Sequence, residues 1–183
     1  MHFFDHLRTV NRHRRLVRKY CFRLGLYWQG LTHDLSKYSP TEFFRSVKYY
    51  QGYRSPNDQE RITNGVSLSW LHHKGRNRHH FEYWIDYCLK PEGVYMGGCK
   101  MPKKYVAEMF CDRLAASRVY RGSEFRQADP WEFFQHTKQH AKLHDNTRDL
   151  LEDMLVKLRD EGEDAAFAYI RREILNGEGA RRC

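Results

Sequence analysis

The chain has no C-x-x-C pair, and its five cysteines (Cys21, Cys88, Cys99, Cys111, Cys183) are odd in number. That pattern argues against a thiolate zinc framework or a paired disulfide scaffold and fits free thiols in a reducing compartment. No stretch approaches the roughly 18 apolar residues of a membrane span. The N-terminus, Met1-His2-Phe3-Phe4-Asp5-His6, lacks the basic segment and apolar run of a signal peptide. A cytoplasmic protein with no membrane partner is the expectation. Neither G-x-x-x-x-G-K-[ST] nor G-x-G-x-x-G occurs, and there is no G-x-S-x-G elbow. This removes the P-loop, the dinucleotide fold and elbow-serine acyl transfer from consideration. Internal repeats and low-complexity tracts are also missing.

What is present is a chain of 183 residues, 40% hydrophobic and 15% aromatic, enough for one core despite a mean hydropathy of −0.85. One domain over residues 1–176 with a flexible tail at 177–183 is expected. The net charge of +9 favours anionic partners.

Periodicity predicts helices almost throughout. Residues 3–24 carry Phe3, Leu7, Val10, Val17, Cys21 and Leu24 at three- and four-residue steps, with His13 in the gap of that stripe. Ser39-Pro40-Thr41-Glu42 reads as a capping box that opens a helix to about Tyr50. A loop over 52–58 and a helix over 58–73 follow. A fourth helix starts near His79 and uses Phe81, Trp84, Ile85 and Cys88 as its apolar face. Residues 91–102, with three glycines and two prolines, read as a loop whose glycines would let it act as a lid. Further helices are expected at 103–121, from 129 to about 144, at 146–161 and, beyond Gly162, at 163–175.

The most informative segment is Gly30-Leu31-Thr32-His33-Asp34-Leu35-Ser36-Lys37. An imidazole and an adjacent carboxylate can share one divalent ion if the backbone between them turns both inward. A lysine one turn later can then meet an anionic group. Company strengthens the case: His13 before the pair, His72-His73 and His79-His80 after it, and Asp112 on a later helix. His13 also fits a hydrogen-bonded core histidine, and Asp112 a carboxylate paired with Arg113 or Arg118. His73 follows Ile62 and Val66 on an inner face while His72 sits beside Leu68, so the ligand in that doublet stays open. In the second doublet, His80 lies nearer the Phe81/Trp84 face and is favoured. His136, His140 and His144 recur at four-residue intervals but lack the glutamate of an H-E-x-x-H motif, and read as a partly exposed stripe.

His13, then His33-Asp34 with Lys37, the two histidine doublets and Asp112 within Cys111-Asp112-Arg113-Leu114-Ala115-Ala116 resemble the HD superfamily of metal-dependent phosphohydrolases. The resemblance implies an all-α bundle of about seven to eight helices with metal at its centre. It assigns His13, His33, Asp34 and Asp112 to a first ion. Asp34 would bridge to a second ion held by one of His72 and His73 and by His80. Over nearly the whole chain, Thr32 to Phe43 and Asn77 to Trp84 also look like a family of small bacterial and phage proteins of unknown function. Its members are sometimes labelled catalases, and no haem-type feature accompanies the label here.

The expected activity is hydrolysis of a small anionic phosphoester, such as a nucleotide, by metal-activated water. One or two manganese, iron, nickel, cobalt or zinc ions would serve. Asp34 and Lys37 would be catalytic, and Lys37, Arg76 and Arg78 would hold the substrate. Two alternatives stay open: a di-iron oxygenase on the same fold, and a non-catalytic basic protein that binds nucleic acid. Homodimerisation is also open.

Overall fold

The computed structural model describes residues 2–176, so the expected tail at 177–183 lies outside the described residues. Eight α-helices and one two-stranded sheet make up the described residues. The chain is thus predominantly helical, and the all-α expectation is corrected by a hairpin. None of the helices is long and apolar enough to cross a membrane.

Helix α1 (Phe3–Arg23) buries His6, Val10, His13, Val17, Tyr20 and Cys21 along one face. It packs against α6 (Lys103–Arg121), and α6 packs in turn against α8 (Asp145–Tyr169). Val17, Cys21, Phe110, Leu114, Leu151, Leu155 and Leu158, all fully excluded from solvent, form the middle of this three-helix core. The interior is apolar below the layer of His13 and Asp112, so polar groups concentrate at one end of the α1/α6 contact.

The short elements surround that end. Helix α2 (Tyr27–Thr32) folds back on α1 and runs into a 3-10 turn at Leu35–Tyr38. Ser39 then caps α3 (Pro40–Lys48), accepting from the Glu42 amide as the capping box predicts. The single helix expected over 58–73 is two, α4 (Pro56–Asn64) and α5 (Leu68–Lys74). Gly65 ends α4 at φ +77, a left-handed conformation suited to glycine. Ser67 restarts the chain by accepting from the Trp70 amide. The buried Glu60 carboxylate locks this junction by accepting from the Ser67 and Ser69 hydroxyls at 2.7 and 2.6 Å.

The expected fourth helix is instead a 3-10 turn (Phe81–Trp84) leading into β1 (Ile85–Lys90), which pairs antiparallel with β2 (Gly93–Gly98). Ile85, Tyr87 and Leu89 alternate with Asp86, Cys88 and Lys90, a period of two that the helical reading overlooked. The lid expectation changes accordingly. Residues 93–98 are strand, and a Cβ on Gly98 would lie 2.2 Å from the Lys142 carbonyl oxygen. Gly98 is there for close backbone approach, not for hinge motion. Helix α7 (Asp129–Thr137) is shorter than expected and continues only as a 3-10 turn (Lys138–His140). His144 leaves the stripe of His136 and His140 to cap α8 through Nδ1. Gly162 breaks α8 with φ +87, where the sequence placed a boundary, and a π-turn (Ile170–Leu175) follows α8.

Two outcomes are expected. Gly98→Ala forces the hairpin off the 142–144 backbone and should cost about 1–3 kcal/mol, lowering the melting temperature by several degrees in a thermal scan. The second concerns His6, which is buried against Phe43 and Tyr50. Burial, with Lys37 nearby, lowers its pKa to about 4 from the ordinary 6.5. Its unfolded form therefore binds the proton first, and the stability it contributes is present above pH 6.5 and lost as pH falls toward 4. Between pH 7 and 5 this contribution produces a drop in the urea midpoint of the native chain relative to His6→Phe. That difference should amount to about 1–2 kcal/mol.

Candidate metal centre

The centre is built on one unusual backbone residue. Asp34 has φ +55 and ψ +26, the only non-glycine in the left-handed region among the described residues. Such a conformation costs energy for a side chain other than glycine and is kept where neighbouring structure enforces it. Here Arg14 enforces it from α1. Its Nε donates to the His33 carbonyl at 2.8 Å and its Nη2 to the Leu31 carbonyl at 3.2 Å. The Lys37 amide donates to the Asp34 carbonyl at 3.0 Å from the other side. The turn points the side chains of both His33 and Asp34 inward, where they are 2% and 0% exposed.

Asp34 then faces two sets of donors, one with each oxygen. Oδ2 lies 3.4 Å from His33 Nε2 and 3.7 Å from His13 Nε2, and Asp112 Oδ1 is 2.9 Å from His13 Nε2 and 3.4 Å from His33 Nε2. Oδ1 lies 3.2 Å from His73 Nε2 and 3.4 Å from His79 Nε2, and His73 Nε2 is 2.8 Å from His80 Nε2. Each set supplies four donors close enough to share one ion. Ligands about 2.1 Å from a divalent ion sit roughly 3.0–3.4 Å from one another, and the spacings here, 2.8–3.7 Å, centre on that range. The orphaned atoms agree. His13 Nε2, His33 Nε2, His79 Nε2 and Asp34 Oδ1 are buried with no well-formed hydrogen bond, and the cation on Asp34 Oδ2 is the Lys37 ammonium. Buried polar atoms left unpaired are costly, and here they converge on two points.

Two glutamates behind the rings set which nitrogen faces the centre. Glu108 Oε1 lies 2.9 Å from His33 Nδ1 and 3.2 Å from His79 Nδ1. Glu42 Oε2 lies 2.8 Å from His73 Nδ1. A ring that donates through Nδ1 to a carboxylate turns an Nε2 lone pair toward the centre, the arrangement usual for metal-ligating histidines. Glu108, His33 and His79 also form a cluster of three possible donors. Because their Nε2 atoms point to Asp34, the glutamate serves to orient them.

Electrostatics holds the carboxylates, His13 and His80 in ligating states. At His33 and His73, by contrast, burial is outweighed by the neighbouring carboxylates, Asp34 foremost, which raise the ring pKa, so a proton and a cation compete for these two rings. Burial would raise the Asp34 carboxyl, but His33, Lys37 and His73 outweigh it and hold it well below its ordinary range. Burial likewise opposes ionisation of Asp112, and the rings of His13 and His33 beside it lower it instead. Burial and the charges of His79 and His73 push His80 well below the ordinary histidine value, so it stays neutral. Burial and Lys37 lower His13 as well. Lys37 Nζ lies 2.7 Å from Asp34 Oδ2. Burial disfavours its charge, but Asp34 and Asp112 keep it protonated.

Several sequence expectations move. His13, His33, Asp34, His73, His80 and Asp112 meet at the centre. His79, which had been passed over for His80, meets them there too. The two belong to an extended corner after Asn77 instead of a helix, so neither is turned away. His72 is a correction: consecutive helix residues are about 100° apart, so only one of the pair on α5 can face Asp34. His72 Nδ1 rests on the other Glu42 oxygen at 2.6 Å. Arg76 donates to the His72 carbonyl at the end of α5, and Arg78 lies against Tyr83 and Tyr105. Glu42 and Glu108 were missed as site residues. Glu42 was read as a capping residue alone, and Glu108 sits one turn before Asp112 on α6, a spacing that could have flagged it.

Residues 2–157 match the model of a family described as a family of unknown function (DUF5662), and the chain belongs to that family. No curated protein and no solved structure matches it.

Arg14 carries the last expectation of this part. Arg14→Met removes both bonds to the backbone carbonyls of the 31–34 turn and should destabilise the chain by about 1–3 kcal/mol in urea unfolding. Arg14→Lys should recover only part of that, because one ammonium cannot reproduce the guanidinium fork.

Proposed function

We propose that this protein is a metal-dependent phosphohydrolase with an HD-like helical bundle, acting on a small phosphoester. The observation that carries the reading is the division of labour within Asp34: one buried carboxylate offers an oxygen to each of two four-donor sets. A single structural ion would need no shared ligand and would close with four donors.

His13, His33, Asp34 and Asp112 would hold one ion, and Asp34, His73, His79 and His80 the other. Manganese, iron, nickel, cobalt and zinc all suit such a nitrogen and oxygen set. Bound ions would supply Lewis acidity toward a phosphoryl oxygen and acidify water toward neutrality. The remaining work belongs to the chain. Glu108 and Glu42 fix the imidazole rings, so the donor set is preorganised. Lys37 brings a permanent positive charge to the side of the cluster, suited to neutralising a phosphoryl oxygen as charge builds there.

Elemental analysis of the purified chain, followed by phosphatase assays with each metal, tests the reading. The native chain should carry close to two ions. Asp34→Asn should lose both and its activity with them. Lys37→Met should keep its metal and lose activity by on the order of 100-fold. Glu108→Gln should bind metal about 10–100-fold more weakly, and His72→Ala should keep a full complement. A metal-free native chain, or Asp34→Asn with unchanged metal content and hydrolysis, would end the proposal. Oxygen uptake by an iron-loaded form that hydrolyses no phosphoester would favour oxidation chemistry at the same residues.

A further inference from the structure

A cavity of about 600 Å³ opens between the N-terminal half of α1, the turn after α3 and the C-terminal half of α6. Its walls include Asp5, Arg8, Thr9 and Arg12 from α1, Tyr50 from the turn, and Val119 from α6. The cavity lies along the same α1/α6 seam as the metal centre. His13 and Asp112 meet across α1 and α6 at 2.9 Å. Thr9 is four residues before His13 on α1, about 6 Å along the axis and on the same face. Val119 is seven residues beyond Asp112 on α6, two turns along its face. The α1/α6 seam that carries the His13/Asp112 contact therefore runs toward the cavity. Tyr120, hydrogen-bonded to Ser55 and within electrostatic reach of Lys37 and Tyr50, stands beside that route.

The lining is suited to an anion. Arg12, adjacent in sequence to His13, makes no ion pair or hydrogen bond among the described residues, although it borders the cavity. Arg8 is one turn away on the same face. Its contact with Asp5, at 3.3 Å and exposed, is of the kind that contributes little and is easily exchanged. Two guanidinium groups at this spacing match the oxygens of one phosphate. Thr9 Oγ1 donates to the Asp5 carbonyl, so Tyr50 is the donor in the 2.8 Å bond between their hydroxyls, and that bond fixes the floor. A volume near 600 Å³ is in the range of pockets for whole small molecules and exceeds what one phosphate needs.

We propose that this cavity holds the non-reacting end of the substrate and that this end carries a second phosphate on Arg8 and Arg12. The substrate class is then a small bisphosphorylated molecule, with its two phosphorus atoms roughly 6–10 Å apart. This inference rests on the phosphohydrolase reading for the reacting end. It replaces Arg76 and Arg78 with Arg8 and Arg12 as the anion-binding cations.

The test is calorimetric titration of the full chain, with the metal it carries on purification, with adenosine 3′,5′-bisphosphate and with adenosine 5′-monophosphate. The bisphosphate should bind about tenfold more tightly. The preference should vanish in the Arg8→Ser/Arg12→Ser variant, whose exposed substitutions should leave the melting temperature unchanged. Val119→Trp, which fills the cavity, should abolish it as well. Equal affinities in the native chain, or a preference that survives either variant, would overturn the inference. Hydrolysis of p-nitrophenyl phosphate by the manganese-loaded native chain separates the two readings. Its absence beside an intact bisphosphate preference would defeat the assigned reaction and leave the cavity assignment standing. Its presence without that preference would do the reverse.

Discussion

A buried carboxylate must be compensated, and most of this structure follows from how Asp34 is compensated. It is fully excluded from solvent, sits in a left-handed backbone turn and leaves Oδ1 without a hydrogen bond. Desolvating such a charge is expensive unless opposite charge or a cation takes the place of water. Lys37 meets one oxygen directly, and imidazoles from α1, α5 and the 79–80 corner crowd both. The fold spends a strained residue and a cluster of orphaned nitrogens at one place, the pattern expected where function outweighs local stability.

The rest of the molecule holds that place still. The α1/α6/α8 core is apolar and closely packed, so His13 and Asp112 are displayed from rigid elements. Shorter segments bring in the remaining donors, each tied down by its own device: Arg14 for the 31–34 turn, Glu60 with Ser67 and Ser69 for the start of α5, and Asn77 donating to the His73 carbonyl at the end of α5. Glu42 and Glu108 add a layer behind the rings. Functional groups are held accurately when the side chains behind them are themselves locked.

Much of the helical frame was legible in the sequence. The stripe of α1, the capping box at Ser39, the extent of α6 and the break at Gly162 each arise from local chemistry that a single segment carries. Where the reading failed, the competing signal was also local but weaker. Six alternating residues at 85–90 were absorbed into a helical pattern begun by Phe81 and Trp84. One glycine at 65 was not enough to split α4 from α5 until the Glu60 carboxylate, nine residues from Ser69, is seen to anchor the second helix. The glycines at 97 and 98 suggested freedom, but Gly98 is pinned by backbone from the 142–144 segment, distant in sequence.

The same division applies to the site. Residue type and adjacency marked His33 and Asp34, because imidazole beside carboxylate is recognisable without coordinates, while His13 and Asp112 were joined to them by the resemblance of the whole pattern to a metal-binding superfamily. Which members of the doublets turn inward, and the recruitment of His79, Glu42 and Glu108, depended on helix phase and on contacts between residues 30 or more apart in sequence. The chain by itself determined that ligating chemistry was present and that its frame was helical. Tertiary packing decided that the donors form two sets sharing one carboxylate, because nothing in a linear order of residues fixes the direction in which each ring nitrogen points.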